Sequence, residues 1–148
     1  MRPMYETDAD LQREGTVAQA FEKAWKVKTV KLPIKYGLDY AMTRQDKVFA
    51  FAEMKTRKLP MDDMDRKGGY DLGLSKWMAA KEAHEATQLP FVLIVKLPDG
   101  LYYSMFGEGH NSFKPDDVVM GGREDRNDAQ DIEPMVIIRA ERFKKLKD

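Results

Sequence analysis

Residues 37–55 read GLDYAMTRQDKVFAFAEMK. Two short apolar runs, 37–43 and 48–55, flank a polar turn around Gln45-Asp46-Lys47, which is the pattern of a β-hairpin. Asp39 stands near the start of the first run, and Glu53-Met54-Lys55 closes the second. Side chains alternate along a strand, so Phe49, Phe51, Glu53 and Lys55 share one face, with Val48, Ala50, Ala52 and Met54 on the other. In the first strand Asp39 shares a face with Ala41 and Thr43. A loop with an odd number of residues centred on Asp46 pairs 44 with 48, 43 with 49 and so on to 39 with 53. An even loop shifts the register by one residue and separates the two acids.

Like charges directly opposite each other on a sheet cost roughly 0.2–1 kcal/mol. A cation between them offsets that cost. Mg²⁺ is the natural candidate, with Mn²⁺ as its substitute, because such ions take oxygen ligands from one or two carboxylates. Lys55 lies on the same face, and two carboxylates with one ammonium can hold a divalent metal beside a scissile phosphate. The other reading is two exposed carboxylates at a sheet end, neutralised by Lys55 and Arg57.

Residues 8–26 precede this hairpin and have helical periodicity. Asp8 or Asp10 caps the start. Leu11, Ala18, Phe21 and Trp25 recur at 3.6-residue spacing, with Val17 and Ala24 alongside. Glu14 falls near the centre of that apolar arc. A carboxylate there is costly unless it is paired or bound to a metal, which makes Glu14 a third acidic candidate. The alternative is that this end of the stripe is exposed. Residues 27–34 read as a strand ending at Pro33, and 58–71, with Pro, Gly-Gly and many charges, as a loop.

Residues 72–88 (LGLSKWMAAKEAHEATQ) read as an alanine-rich helix with Leu72, Ala79, Ala83 and Ala86 on one face. Lys76 lies at the margin of that face and, with Ser75, is placed to reach a phosphate over the acidic cluster. The alternative is a lysine snorkelling from the helix edge. Residues 90–97 (PFVLIVKL) are a strand buried on both faces. The turn Pro98-Asp99-Gly100 joins it to 101–106. Residues 107–134 look irregular, 135–139 form a last strand, and 140–147 a short helical turn. The expected fold is a mixed α+β domain of the α/β type, with a central mixed sheet flanked by helices. Its order is α-β-β-β-α-β-β plus a C-terminal extension. We place the core at 8–106 and the extension at 107–148 of a single domain.

The chain has 148 residues, 43% of them hydrophobic, which suffices for one domain with a core. It has no cysteine and only two histidines, His84 and His110. This excludes thiolate zinc sites, disulfide scaffolds and a cysteine nucleophile. No apolar signal segment opens the chain, and no run is long enough for a transmembrane helix, so a cytoplasmic location without membrane contact is expected. Net charge is zero, from 25 basic and 25 acidic residues. The charges are uneven: residues 22–67 hold 12 Lys/Arg against 7 Asp/Glu, and 108–148 hold 8 against 10. The basic excess surrounds the acidic motif, which suits a polyanion, although a solvated basic face has the same composition. Arg44, Arg57, Lys58, Arg66 and Lys67 are the candidate phosphate contacts.

Asp39 followed by Glu53-Met54-Lys55, on these elements in this order, resembles the PD-(D/E)XK nuclease superfamily. The nearest look-alikes are Holliday junction resolvases and small phage or bacterial nucleases of this type. The likeness covers roughly residues 8–106 and departs at Leu38, which stands where the motif is written with a proline that is often absent in the superfamily. It implies a restriction-endonuclease-like core, with Asp39 and Glu53 as metal ligands and the Met54 backbone carbonyl completing the set. It implies that Lys55 orients the attacking water or offsets developing charge. Glu14 matches an acidic position on the first helix, and Lys76 a polar position on the second. DNA is the implied substrate, and junction-cutting members act as homodimers. Two other readings stay open: a non-catalytic nucleic-acid-binding module of the same fold, and a viral accessory or assembly protein that uses residues 107–134 against a partner.

Overall fold

The computed structural model describes residues 8–32, 37–122 and 132–147. Its first helix is α1 (Asp8–Trp25). Strands β1 (Lys28–Lys31), β2 (Tyr40–Arg44) and β3 (Lys47–Thr56) follow. Next come α2 (Met61–Arg66), β4 (Tyr70–Gly73) and α3 (Leu74–Thr87). The chain then runs through β5 (Phe91–Leu97), β6 (Gly100–Phe106), β7 (Asp117–Gly122) and β8 (Ile132–Ile138). A 3-10 turn (Ala140–Arg142) leads into β9 (Lys144–Lys145). The mixed α+β class with a central mixed sheet flanked by helices is therefore as expected. The end of the first strand at Pro33 and the Leu11 side chain lie outside the described residues.

One sheet has six strands in the order β1-β2-β3-β5-β6-β9, and a second has three in the order β4-β8-β7. The pairing of β3 with β5 is parallel and the other pairings are antiparallel. The apolar strand β5 lies between β3 and β6, where both of its faces are covered. On one face Val17, Ala18 and Phe21 of α1 pack against Met42, Ala50, Ala52, Val92 and Ile94. On the other, Phe91, Leu93 and Val95 meet Trp77 and Ala80 of α3 together with Tyr70, Leu72, Val136 and Ile138 of the smaller sheet.

The expected element order is corrected in two places. Residues 58–71 contain α2 and the start of β4, and Leu72-Gly73 belong to β4 rather than to the helix. The buried face of α3 is accordingly Trp77 and Ala80, while Ala86 is exposed. Gly69 makes the turn into β4 possible. Its φ is +133°, and a Cβ there would stand 2.4 Å from the Ile138 carbonyl oxygen.

The second correction concerns the residues after 106. They include β7, β8 and β9, and Val136, Ile138 and Phe143 belong to the same core cluster as Leu93 and Trp77. An appended extension is thus the wrong description: β8 is the central strand of the smaller sheet and closes the core beneath α3. Among the described residues no helix is long and apolar enough to cross a membrane.

Candidate active site

The β2–β3 hairpin turns on Gln45 and Asp46, both at positive φ (53° and 62°), so its loop is even rather than odd. Arg44 pairs with Lys47 and Thr43 with Val48. By itself that register would separate Asp39 from Glu53. A bulge then intervenes between Met42 and Thr43 and leaves Phe49 without a partner, and beyond it Met42 pairs with Ala50, Ala41 with Phe51 and Tyr40 with Ala52. One more step brings Asp39 level with Glu53. The two acids meet, but the bulge brings them there and not an odd loop.

Their contact is reciprocal. The Asp39 backbone N–H donates to Glu53 Oε2 at 3.1 Å, and the Met54 N–H donates to Asp39 Oδ2 at 3.2 Å. Glu53 is fully buried. Its other oxygen, Oε1, stands 3.3 Å from Lys55 Nζ and 3.2 Å from Lys76 Nζ. Both ammoniums are within ion-pair distance of Oε1, and Lys76 acts on it as a hydrogen-bond donor as well. Burial pushes the Glu53 carboxyl above its ordinary range. Lys55 opposes that shift, Asp39 reinforces it, and Lys76 opposes it again.

Lys76 comes from the first turn of α3 and also donates to the Gly37 carbonyl at 2.9 Å. Gly37 has a φ of +74°, a turn conformation that suits glycine and presents this carbonyl just before Asp39. One lysine therefore ties the approach to β2, the buried carboxylate and α3 together.

Glu14 is placed differently. Its carboxylate accepts from Lys31 Nζ at 2.8 Å and from the Tyr40 hydroxyl at 3.3 Å. Lys31 in turn reaches Asp39 Oδ1 at 4.0 Å, so Glu14 is joined to the acidic pair through an ammonium. Burial pushes the Tyr40 hydroxyl up to about 12, and the Glu14 carboxylate adds to the shift. Desolvation pulls the Lys31 ammonium down, but its bond to Glu14 and the charges of Asp39 and Glu14 outweigh it and the net shift is upward. Among the described residues no group of three or more His, Cys, Asp and Glu side chains is gathered so as to hold a metal.

The expected phosphate contacts divide. Arg57 and Lys58 follow directly after β3, at the end that carries Glu53 and Lys55. The Arg57 guanidinium lies over the Tyr70 ring, 5.0 Å from its centroid, and Lys58 is exposed. Ser75 is exposed in the first turn of α3, next to Lys76. Arg66 is paired with Asp63 and Lys67 with Asp71. Arg44 does not flank the cluster. It sits at the hairpin turn, about 16 Å along the strand from Asp39, where it donates to the Trp25 carbonyl and covers Phe49.

Sequence reasoning passed over Lys31, Tyr40 and Tyr70. Tyr40 was legible, because the residue after Asp39 must face the first helix, where Glu14 lies. Lys31 carried no such signal. The Tyr70 hydroxyl is buried without a hydrogen-bond partner. Burial raises it, Arg57 lowers it, and the charges of Asp71, Glu53 and Asp39 raise it further, so it feels the cluster electrostatically.

Two facing carboxylates thus lie at one end of the mixed sheet, with a lysine two residues after the second. A family model described as "Phage putative PDDEXK endonuclease" matches residues 1–146. The chain belongs to this family. The match extends past residue 106 to include β7, β8 and β9. No curated protein matches the chain in sequence. Among solved structures, the chain is similar to Hjc, a Holliday junction resolvase from the archaeal hyperthermophile Archaeoglobus fulgidus. That likeness has 14% identity and a TM-score of 0.43, over 61% of this chain and 70% of the other.

Proposed function

We propose that this PDDEXK family member is a divalent-metal-dependent nuclease that hydrolyses phosphodiester bonds in DNA. The observation that carries the reading is Glu53: a carboxylate fully buried at the sheet end, bonded to Asp39 and facing two ammoniums. A buried charged oxygen is costly unless it is compensated. The donor set fits a hard dication, since Asp39 and Glu53 offer carboxylate oxygens, and the Met54 carbonyl is the backbone group between Glu53 and Lys55. Mg²⁺ is the ion we assign, with Mn²⁺ able to replace it. When bound, such an ion acts as a Lewis acid on a phosphoryl oxygen.

The chain's own residues supply the rest. Asp39 and Glu53 lock each other's orientation through the two backbone N–H bonds, so neither carboxylate must reorganise when substrate arrives. Lys55 is about one-third exposed and brings positive charge to the mouth of the cluster, where negative charge develops on the phosphoryl group. Lys76 holds Glu53 from the α3 side. Arg57 and Lys58 take flanking phosphates, which positions the backbone of the nucleic acid without reading its sequence.

The test is cleavage of duplex, single-stranded and branched DNA with Mg²⁺, Mn²⁺ or chelator. Metal-dependent cutting that is lost in Asp39→Ala and Lys55→Ala is expected. Equal cutting by wild type and both variants would sink the reading.

A further inference from the structure

We propose that Lys31 is the internal counter-ion of the acidic cluster, the ammonium that yields when a divalent cation is taken up, and that it thereby limits the cluster's affinity for that cation. The inference rests on the metal-dependent nuclease reading above. Along the chain of contacts from Glu14 to Lys76, three carboxylates (Glu14, Asp39, Glu53) meet three ammoniums (Lys31, Lys55, Lys76). A dication entering this chain of contacts adds two positive charges beside three ammoniums, and repulsion acts on the ammonium held most weakly to the acidic pair.

The contacts rank the three. Lys76 is held twice, by Glu53 at 3.2 Å and by the Gly37 carbonyl at 2.9 Å. Lys55 stands 3.3 Å from the buried Glu53 oxygen. Lys31 reaches Asp39 only at 4.0 Å, while its firm contact, at 2.8 Å, is with Glu14. Its side chain is also the most exposed, 40% against 33% for Lys55 and 31% for Lys76. Leaving Asp39 therefore costs Lys31 a contact at 4.0 Å and keeps the 2.8 Å bond to Glu14. The Tyr40 ring, 4.9 Å from the ammonium, gives it a resting surface during that movement. Lys31 also stands on β1, the first strand in the order of the larger sheet among the described residues.

The proposal fixes a sign that a merely structural role would reverse. Removing a part-screened unit charge beside the site should tighten cation binding about three- to tenfold. If Lys31 only held the acids in place, removing it would loosen them and weaken binding. The experiment is Mn²⁺ titration of the whole chain without DNA, by calorimetry or by the electron paramagnetic resonance of free Mn²⁺, with Asp39→Asn as the site reference. Lys31→Met is expected to bind Mn²⁺ about three- to tenfold more tightly, and Lys31→Arg within twofold of wild type. Lys31→Gln repeats the test should the Met variant fail to fold by circular dichroism. Equal or weaker binding by the neutral variants, with a wild-type site that depends on Asp39, overturns the inference alone. A wild type that binds Mn²⁺ no better than Asp39→Asn overturns the nuclease reading and this inference with it.

Discussion

The Asp39 backbone N–H donates to Glu53 Oε2 at 3.1 Å, so the first acid of the motif anchors the second through its main chain as well as facing it. This relationship separates charge from geometry in a single substitution. Glu53→Gln retains a side-chain oxygen for the Asp39 N–H but removes the charge that faces Lys55 and Lys76. Cleavage should fall by at least about 10²-fold, the scale of losing one preorganised electrostatic contact. Hydrogen exchange at the Asp39 amide should stay near wild type. An active Glu53→Gln variant would mean that the charge at this position is not needed.

The same carboxylate gives a pH dependence of stability. Folding raises the Glu53 pKa above its ordinary value of 4.5, chiefly by burial. Between those two values the native state binds more protons than the unfolded state, so stability falls as pH rises through that window and is level above it. The contribution is therefore greatest at acid pH, opposite to that of a salt-bridged surface carboxylate. Metal-free wild type should lose melting temperature on going from pH 4.5 upward relative to Glu53→Gln, and a divalent cation should reduce the difference. Parallel pH profiles of the two proteins in chelator would contradict the raised value.

Lys55 and Lys76 face the same oxygen and should still differ. Lys76 also carries the Gly37 carbonyl and ties α3 to the start of β2. Lys76→Met should therefore cost about 1–3 kcal/mol in urea unfolding, the range for losing the partner of a buried polar group. Lys55→Met should cost less, because Lys76 still faces the buried carboxylate, while its turnover falls more than its DNA affinity. Equal stability losses in the two variants would count against the tethering role of Lys76.

How far the sequence discloses this site depends on the kind of contact. Alternation along β3 placed Glu53 beside Lys55 correctly, because the period of two is a property of the backbone. The meeting of Asp39 with Glu53 was expected for the wrong reason. Nothing in KVFAF marks Phe49 as the bulged residue, and the even turn at Gln45-Asp46 would have pulled the acids apart without it. Helix α2 and strand β4 hid in a charged, Gly- and Pro-containing stretch because they have only six and four residues, too short for periodicity to show. Val136 and Ile138 were legible as a strand. Their place under α3 was not, since pairing between β4 and β8 spans more than sixty residues and leaves no local trace. The Lys31–Glu14 bond is of the same kind, joining a helix to an edge strand through side chains alone.

The position of β8 makes a prediction about the residues after 106. Ile138 is fully buried and pairs with Tyr70, while Val136 pairs with Leu72. Ile138→Ala should destabilise by about 2–5 kcal/mol, as for other buried large-to-small changes. Truncation at residue 107 should leave no cooperative unfolding transition, because the core cluster then loses Val136, Ile138 and Phe143 together. A truncated chain with a sharp thermal transition would restore the view of 107–148 as an appendage.

Charge at the two ends of the β2–β3 hairpin offers a last test, on DNA binding rather than cleavage. Arg57 and Lys58 lie at the end that holds Glu53 and Lys55, and Arg44 lies at the turn, where it is engaged with the Trp25 carbonyl and Phe49. Each phosphate contact contributes about 0.9 to the slope of log affinity against log salt for duplex DNA. Lys58→Ala should therefore lower that slope by about one, and Arg57→Ala by a similar amount, with affinity falling alike for unrelated sequences because phosphates carry no base identity. Arg44→Ala should leave the slope unchanged. Fluorescence anisotropy of a labelled duplex in chelator, across a salt series, reads all three without interference from cutting. A slope that falls for Arg44→Ala and not for Lys58→Ala would move the DNA path to the turn end of the hairpin and away from the acidic cluster.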